Sequence, residues 1–214
     1  MMTDKKYLSN LRTPTKNAPL RILTSSCLIG TMCGVDGTNY GEYASVLKLM
    51  NYTNVKLIPF CPEDYSFGTP REMCDIHGGT GIDVLNGTAK VITESGQDWT
   101  NKMIKASLKM LEIAKKEKIE LAIMMDISAA CGSQVIYNGN RKVKNPIYQI
   151  GMGVCGAQLK KHGFKIISQR DFKSLEILYS KIDVNHIIDI NAKDHDQNEW
   201  YIKYFHSKTT HNTV

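Results

Sequence analysis

The sequence predicts an α/β protein with a Rossmann-like, three-layer fold around a mostly parallel sheet. Strand-like runs alternate with helical patterns from residue 20 to residue 170. One run, residues 121–125, is continuously apolar, as expected for a central parallel strand covered on both faces. A chain of 214 residues with 42% hydrophobic residues is long enough to bury one sizeable core.

Strands are expected where short apolar and β-branched runs end at small, polar or proline residues. In chain order these runs are residues 21–25, 55–60, 89–93, 121–125 and 164–168. Apolar residues recur at helical spacing in three segments, which predicts helices at residues 42–50 and 153–163 and a third helix that includes residues 102–116. Asp98 or Thr100 is expected to cap this third helix. Two further segments are typical of a turn or hairpin (133–139) and of a Gly-, Pro- and Asp-rich loop (61–87).

The beginning of the chain differs from this alternating pattern. Residues 1–19 lack periodicity and include Pro14 and Pro19. This composition predicts a flexible N-terminal arm in front of the α/β domain, which spans residues 20–170.

Residues 171–214 are expected to form a C-terminal extension of the domain. A helix is predicted at residues 175–182. The β-prone runs at 186–190 and 200–205 are separated by an acidic, Asn-containing turn, and this arrangement predicts a hairpin.

The net charge is +6, and basic residues cluster in the N-terminal arm and at residues 141–144. Such clusters attract anionic ligands or RNA, although solvated surface lysines give the same pattern. No apolar run is long enough for a signal peptide or a membrane span, which predicts a soluble, cytoplasmic protein. The sequence leaves both a monomer and a homodimer open.

Six cysteines, without a CxxC pair or zinc-finger spacing, leave metal ligands, catalytic thiols and buried small residues as alternatives. Three of them follow predicted strands: Cys27, Cys61 and Cys131. Ligands of open parallel sheets bind outside the carboxyl ends of the strands, so these three thiols are expected to converge. Three protein ligands leave one metal position open for chemistry, whereas a closed structural site normally takes four.

The segments around these cysteines carry specific motifs. Residues 25–30 read SSCLIG, with Cys33 and Asp36-Gly37 downstream. The later segments are CPE at 61–63, TPR at 69–71, SAACG at 128–132, IYNG at 136–139 and GMGV at 151–154. In this order they resemble the SACLLG, CPE…TPR, SPSCG…IYDG and closing glycine motifs of the 2-thiouracil desulfurase family. The resemblance runs over residues 21–170.

The resemblance implies a [4Fe–4S] cluster ligated by Cys27, Cys61 and Cys131. Its fourth iron would bind the sulfur of a thiolated nucleobase such as 2-thiouracil, because sulfur is a soft ligand. The sulfur would leave as sulfide while water supplies the oxygen that replaces it, with no net redox change. Orientation and proton handling would be the contribution of the protein.

The resemblance also suggests roles for polar residues near the cysteines. Glu63 is the candidate for activating the attacking water or shuttling its proton, and Ser128 for polarising the substrate ring. Asp36 is a third catalytic candidate, while Arg71 and Ser25 are candidates for substrate binding. Each residue also has an ordinary structural interpretation, as a solvated carboxylate, a turn hydroxyl or a turn former.

Three departures from the family pattern accompany this interpretation. The segment between Glu63 and Pro70 is one residue shorter than the usual glycine-rich loop. SAACG replaces SPSCG at 128–132, and Met125-Asp126 stands where a lysine is common.

Two alternative functions remain open. The same chemistry on thiolated nucleotides or tRNA is one alternative, and it would suit the basic clusters. The other is a non-catalytic protein in which a cluster, or a zinc ion, is structural or senses oxygen.

A competing motif lies at residues 151–156, which read GMGVCG and fit the GxGxxG dinucleotide fingerprint. The preceding β-prone run is short and follows Pro146, near the end of the predicted fold. The same glycines belong to the desulfurase pattern, which is therefore preferred over dinucleotide binding.

Overall fold

Eight strands and eight helices make up the described part of the chain, residues 5–39 and 43–206 of a computed structural model. The strands are β1 (Leu20–Ser25), β2 (Val55–Phe60), β3 (Cys74–His77), β4 (Lys90–Thr93), β5 (Leu121–Met124), β6 (Val135–Tyr137), β7 (Tyr148–Ile150) and β8 (Ile166–Ser168). The helices are α1 (Lys6–Ser9), α2 (Ala44–Leu47), α3 (Pro62–Phe67), α4 (Gly81–Leu85), α5 (Thr100–Lys116), α6 (Val154–Lys161), α7 (Phe172–Ile182) and α8 (Glu199–Tyr201). Short 3₁₀ turns follow β1 and α2 and precede α8, and a π-helical turn follows α8.

A four-stranded parallel sheet in the order β2–β1–β5–β8 forms the middle layer. Successive side chains of β5 point to opposite faces and are all buried. Ala122 and Met124 belong to the core shared with α5 and α6, whereas Leu121 and Ile123 belong to the core shared with α1 and α7. This arrangement confirms the three-layer α/β fold, and β3–β4 and β6–β7 add two antiparallel pairs.

The longest helix, α5, shows why the helical pattern was readable. Its buried stripe includes Met103, Met110 and Ala114, while its lysines face water. Within residues 5–39 and 43–206, no helix combines the length and apolarity that crossing a membrane requires.

The expected loop at 61–87 contains three regular elements, α3, β3 and α4. Pro62 begins α3, a position where its missing N–H costs nothing. Thr80 and Asp83 form a capping box that begins α4. The loop prediction was therefore wrong, because Gly, Pro and Asp in this segment serve as helix starts and turns between short elements.

Residues 5–19 pack on the domain, in contrast to the expected flexible arm. Leu8 and Leu11 are buried in the core beneath the sheet. The guanidinium of Arg12 forms a double hydrogen bond with Glu120, at 2.7 Å for each pair of atoms. These apolar contacts and this ion pair hold the segment on the domain, although its sequence has no regular periodicity. Residues 1–4 lie outside the described ranges.

The C-terminal extension begins with α7 as expected but contains no hairpin within the residues described. Residues 186–190 form no strand, and residues 199–206 are helical. The amide oxygen of Asn198 accepts a hydrogen bond from the Tyr201 N–H at 2.8 Å and caps this helical turn. The rings of Trp200 and Tyr204 pack edge-on against Tyr148 of β7. The Tyr204 hydroxyl also accepts the Tyr148 N–H at 3.0 Å.

Candidate functional site

A cavity of about 220 Å³ lies at the carboxyl edge of the sheet, beside the ends of β1, β2 and β5. The strand order changes direction at β1, because β2 lies on one side of it and β5 on the other. Such a switch point is where open α/β sheets bind ligands. Cys27 follows β1, Cys61 follows β2, and Cys131 lies in the loop after β5; all three line the cavity.

Cys33 and Cys74 line the same cavity, so that five of the six cysteines surround it. The Cys33 thiol lies against the thiols of both Cys27 and Cys61. Contact with Cys27 raises the pKa of Cys33 to about 11. Contact with Cys33, together with burial, also raises the pKa of Cys61. Crowded thiols that resist ionisation in isolation gain from a cation that binds their deprotonated forms.

Cys61 is held by the start of α3, for which it is the N-cap residue. Its Sγ accepts the backbone N–H of Asp64 at 3.4 Å. This N–H is one of those that an α-helix leaves unsatisfied at its first turn. The cap therefore fixes the direction of the Cys61 side chain and places Glu63 on the first turn, next to the cavity.

Cys131 is held by a compact turn in the loop after β5. The Ser128 Oγ accepts the N–H groups of Ala130 at 3.2 Å and of Cys131 at 3.0 Å. Ile127, which precedes this serine, adopts a positive φ of 58°, a costly conformation for a β-branched residue. Burial raises the pKa of Cys131 well above its usual value.

Glu63 lies between a guanidinium and a thiol at the wall of the cavity. The Arg71 side chain approaches its carboxylate at 3.4 Å, and the Cys74 thiol donates to it at 3.9 Å. Arg71 also donates to the carbonyl oxygens of Cys33 at 3.0 Å and Gly68 at 3.1 Å. Arg71 therefore joins two loops of the cavity wall in addition to lining the cavity itself.

Ser25 connects the ends of two central strands. Its Oγ accepts the backbone N–H of Met125 at 3.0 Å, directly after β5, and lies near the Cys131 thiol. Ser25 and Ser128 both line the cavity. Their oxygens are thus partly committed to backbone N–H groups.

Asp36 is the one predicted site residue that does not line the cavity. It is exposed, and its carboxylate accepts the N–H of Thr38 at 3.0 Å and the hydroxyl of Thr38 at 2.8 Å. These bonds lower the pKa of Asp36 and are those of an ordinary turn. The expected contact between Asp36 and a substrate is therefore not supported by its position.

Among the cavity residues that sequence reasoning did not assign to the site, Cys74 and Arg141 carry reactive or charged groups. Arg141 forms an ion pair with Asp75 and lies over the ring of Tyr137. Neither residue follows a strand of the central sheet, so strand-end reasoning had no means of finding them. Their proximity to the thiols depends on how the β3–β4 pair packs.

A larger cavity of about 620 Å³ lies elsewhere, beside α4 and α6. Its lining includes Thr80, Met152 and Lys160 but no cysteine, histidine or carboxylate. Size alone does not decide which cavity carries chemistry, because a soft metal needs thiolate ligands.

Comparison with known proteins identifies the lineage of this site. Residues 22–171 match the model of the family described as 2-thiouracil desulfurase. The chain belongs to the 2-thiouracil desulfurase family. One relative is the uncharacterized protein YbbK of Bacillus subtilis (strain 168), which is 39% identical over 155 residues, 72% of this chain and 99% of YbbK.

A solved structure is also similar, that of the [4Fe–4S]-dependent thiouracil desulfidase TudS. It has a TM-score of 0.59 and 27% sequence identity, and the match covers 75% of this chain and 98% of TudS. These matches confirm the resemblance inferred from the cysteine motifs. The family match ends at residue 171, so most of the C-terminal extension lies outside it.

The arrangement of Cys27, Cys61 and Cys131 differs from that of three ligands on a single zinc ion. Zinc bonds of about 2.3 Å hold thiolate sulfurs about 3.8 Å apart. In residues 5–39 and 43–206, one trio of metal-ligating side chains lies within 4.8 Å of one another, and it is Asp171, Asp194 and Asp196. Cys27, Cys61 and Cys131 line one cavity but do not all lie within 4.8 Å of one another, as three ligands of a single zinc ion would.

The glycines of the GxGxxG motif have a packing role in this member of the family. A Cβ on Gly153 would lie 2.6 Å from the carbonyl group of Ala130, and a Cβ on Gly156 would lie 2.5 Å from the carbonyl oxygen of Gly132. The preceding strand β7 pairs antiparallel with β6. The motif therefore lacks the βαβ context of a dinucleotide site and instead lets α6 approach the Cys131 loop closely.

Proposed function

We propose that this chain is an iron–sulfur-dependent desulfidase that converts a thiolated nucleobase such as 2-thiouracil into the oxo base and sulfide. The observation that carries the proposal is the meeting of Cys27, Cys61 and Cys131 around one cavity at three adjacent strand ends. Family membership and the similarity to TudS support it.

Cys27, Cys61 and Cys131 would hold a [4Fe–4S] cluster. Such a cluster, with one iron left without a protein ligand, supplies a Lewis acid that prefers sulfur over oxygen. The protein shields this position from much of the bulk water, because Cys27 and Cys131 are buried and Cys61 is half-buried. Cys33 contacts two of the proposed ligands and is assigned no ligand role, so that one position remains open.

Glu63 is the proposed proton carrier of the reaction. Its carboxylate lies at the cavity wall, and Arg71 and the Cys74 thiol orient it. A carboxylate in this position can take a proton from the attacking water and deliver it to the leaving sulfur. The balance is simple: water adds its oxygen to the ring carbon, the carbon–sulfur bond breaks, and no electron acceptor is needed.

The size of the cavity favours a free base over a larger substrate. Its volume of about 220 Å³ is below the roughly 300–1,000 Å³ of common ligand pockets, and the cluster held by its cysteines would occupy part of it. Ser25 and Ser128 present hydroxyl groups that suit the polar edges of a pyrimidine. Thiolated nucleotides and tRNA, which the net charge of +6 would attract, fit this small cavity less well.

Replacement of Glu63 by Gln tests the proposal. Anaerobically reconstituted wild-type protein should convert 2-thiouracil to uracil with release of sulfide. The Glu63→Gln variant should retain the cluster and lose turnover by about 10²- to 10⁴-fold, because the proton carrier is gone. Chromatography of the pyrimidines and visible absorbance of the cluster measure the two properties.

Asp64→Asn is the matched control, because Asp64 neighbours Glu63 on α3 but is exposed, and Asn keeps the oxygen that accepts the Thr69 hydroxyl. Its turnover should equal that of the wild type. A cluster-loaded wild-type protein that releases no sulfide would favour the sensor or structural alternative. Turnover confined to thiolated tRNA, with steep salt dependence, would favour the RNA alternative.

A further inference from the structure

A buried carboxylate closes the loop that carries Cys131. Asp126 lies at the start of this loop, and its side chain is 0% exposed. One oxygen, Oδ1, accepts the backbone N–H groups of Ser133 at 3.0 Å, Gln134 at 3.1 Å and Val135 at 3.0 Å. The two ends of the loop are therefore tied together by a single carboxylate oxygen.

The other oxygen of Asp126 is held by a histidine from the C-terminal extension. Oδ2 lies 2.7 Å from Nδ1 of His195, whose side chain is likewise 0% exposed. A buried carboxylate is costly unless it is paired and fully hydrogen-bonded, and the contact with His195 supplies the partner of its second oxygen. The family match ends at residue 171, which makes His195 an addition to the shared fold.

Aromatic rings and a backbone hydrogen bond surround and support His195. The ring stacks on Trp200, with 5.6 Å between centroids, and meets the edge of Tyr201. Its backbone N–H donates to Asp171 at 3.1 Å, and Asp171 also accepts the side-chain amide of Gln134 at 2.7 Å. The extension thus contacts the end of the Cys131 loop at two points.

We propose that His195 is a positioning residue for the candidate metal centre. By holding Asp126, it fixes the loop in which Ser128 orients Cys131, and it makes the C-terminal extension necessary for the geometry of the site. The link to Cys131 as a ligand rests on the proposed function. The link between His195 and the loop does not.

Hydrogen exchange of the protein without a cluster tests the link to the loop directly. In His195→Ala, the amides of Ser133, Gln134 and Val135 should exchange faster by on the order of ten- to a hundredfold, because their acceptor loses its support. Amides of α5 report unfolding of the whole domain and should change less. Equal changes in the loop and in α5 would overturn the proposal.

Two substitutions of similar chemistry keep the test valid if His195→Ala does not fold. Asn carries its amide nitrogen near the position of Nδ1, whereas Gln carries it near Nε2. His195→Asn should therefore keep the loop amides protected within about threefold of the wild type, and His195→Gln should not. Equal protection in these two variants would contradict the proposal.

His186→Ala is the matched control. His186 lies in the same extension and contacts a carboxylate, Glu176, at 2.8 Å, but Glu176 does not bond the Cys131 loop. Its loop amides should exchange as in the wild type.

After anaerobic reconstitution, the visible absorbance of the cluster should decay fastest in His195→Ala. In His195→Asn it should decay about as slowly as in the wild type. If the wild-type protein binds no cluster, the proposed function fails while the exchange result still decides the role of His195. The inference would be overturned if His195→Ala, His195→Asn and His195→Gln retained the cluster equally and their loop amides exchanged as in the wild type.

Discussion

Ser128 combines two properties at the scale of a single residue. Its oxygen accepts two backbone N–H groups of the Cys131 turn, and its side chain lines the cavity. The first property resembles the hydroxyl cap of a helix and fixes the direction of the Cys131 side chain. The second allows contact with a substrate. Substitution separates these two properties, because only the loss of the backbone hydrogen bonds changes the stability of the protein without substrate.

Ser128→Ala should lower the free energy of unfolding by about 0.5–2 kcal/mol, the usual cost of losing a hydroxyl cap. Ser128→Thr keeps the oxygen and should lie near the wild type. Urea titration of the protein without a cluster measures this difference. A stability of Ser128→Ala equal to that of the wild type would remove the structural role that the two hydrogen bonds imply.

The positions of side chains near the site were predictable only where the end of a strand determined them. Cys27, Cys61 and Cys131 follow strands whose apolar runs are readable, so their position at the sheet edge follows from parallel pairing. Asp36 lies in a similar motif but turns away, because Thr38 satisfies its carboxylate locally. Side-chain direction in a loop depends on such local bonds, which spacing does not reveal.

At the scale of elements, the site depends on the close packing of α6 on the loop that carries Cys131. The helix begins at Val154, and the N–H of its N-cap residue, Gly153, donates to the carbonyl oxygen of Gly132 at 2.9 Å. Gly153 has a φ of −66°, an ordinary value, so glycine is required there for space and not for backbone conformation. A side chain at this position would separate the helix from the loop.

Gly153→Ala should therefore destabilise the protein by about 1–3 kcal/mol and weaken cluster retention, because the added methyl group meets backbone atoms. Gly163→Ala is the control: it has a φ of +83° and no atom near the added Cβ. It should lose about 1–2 kcal/mol through backbone strain alone and retain its cluster. Thermal unfolding and iron content distinguish the variants, and equal iron loss in both would contradict this account.

Long elements were predicted well, and short ones were not. The stripe of α5 and the apolar run of β5 are periodic over enough residues to be read. In contrast, α3 and α4 contain six and five residues, and each depends on a cap that also suits a loop. The expected hairpin at 186–205 failed because the aromatic residues at 200, 201, 204 and 205 pack at helical spacing.

At the scale of the whole molecule, the described N-terminal segment, which begins at residue 5, contacts the C-terminal extension. Lys5 lies within 3.2 Å of carboxylate oxygens of Asp171, Asp194 and Asp196. Burial opposes its charge, but these three carboxylates raise the pKa of Lys5 on balance. The beginning of the described chain and its C-terminal extension therefore meet beside the loop that carries Cys131. No periodic pattern marks these contacts, because they join residues far apart in sequence.

Leu8→Ala tests whether the N-terminal segment contributes to the core. Leu8 is 1% exposed, so its truncation should cost about 2–5 kcal/mol in the free energy of unfolding. Leu108, on the outer face of α5, is 51% exposed, and Leu108→Ala should cost about 0.5 kcal/mol or less. Chemical denaturation of both variants compares the costs; similar small values would mean that the segment is loosely attached in solution.

The central claim is that Cys27, Cys61 and Cys131 together hold a cluster and that the other cysteines do not. Iron and acid-labile sulfide, measured after anaerobic reconstitution of single Cys→Ala variants, test it most directly. The wild type, Cys33→Ala and Cys74→Ala should each carry about four irons and four sulfides per chain. Cys27→Ala, Cys61→Ala and Cys131→Ala should carry few or none. Full iron content in any of these three, or its loss in Cys33→Ala, would contradict the ligand assignment.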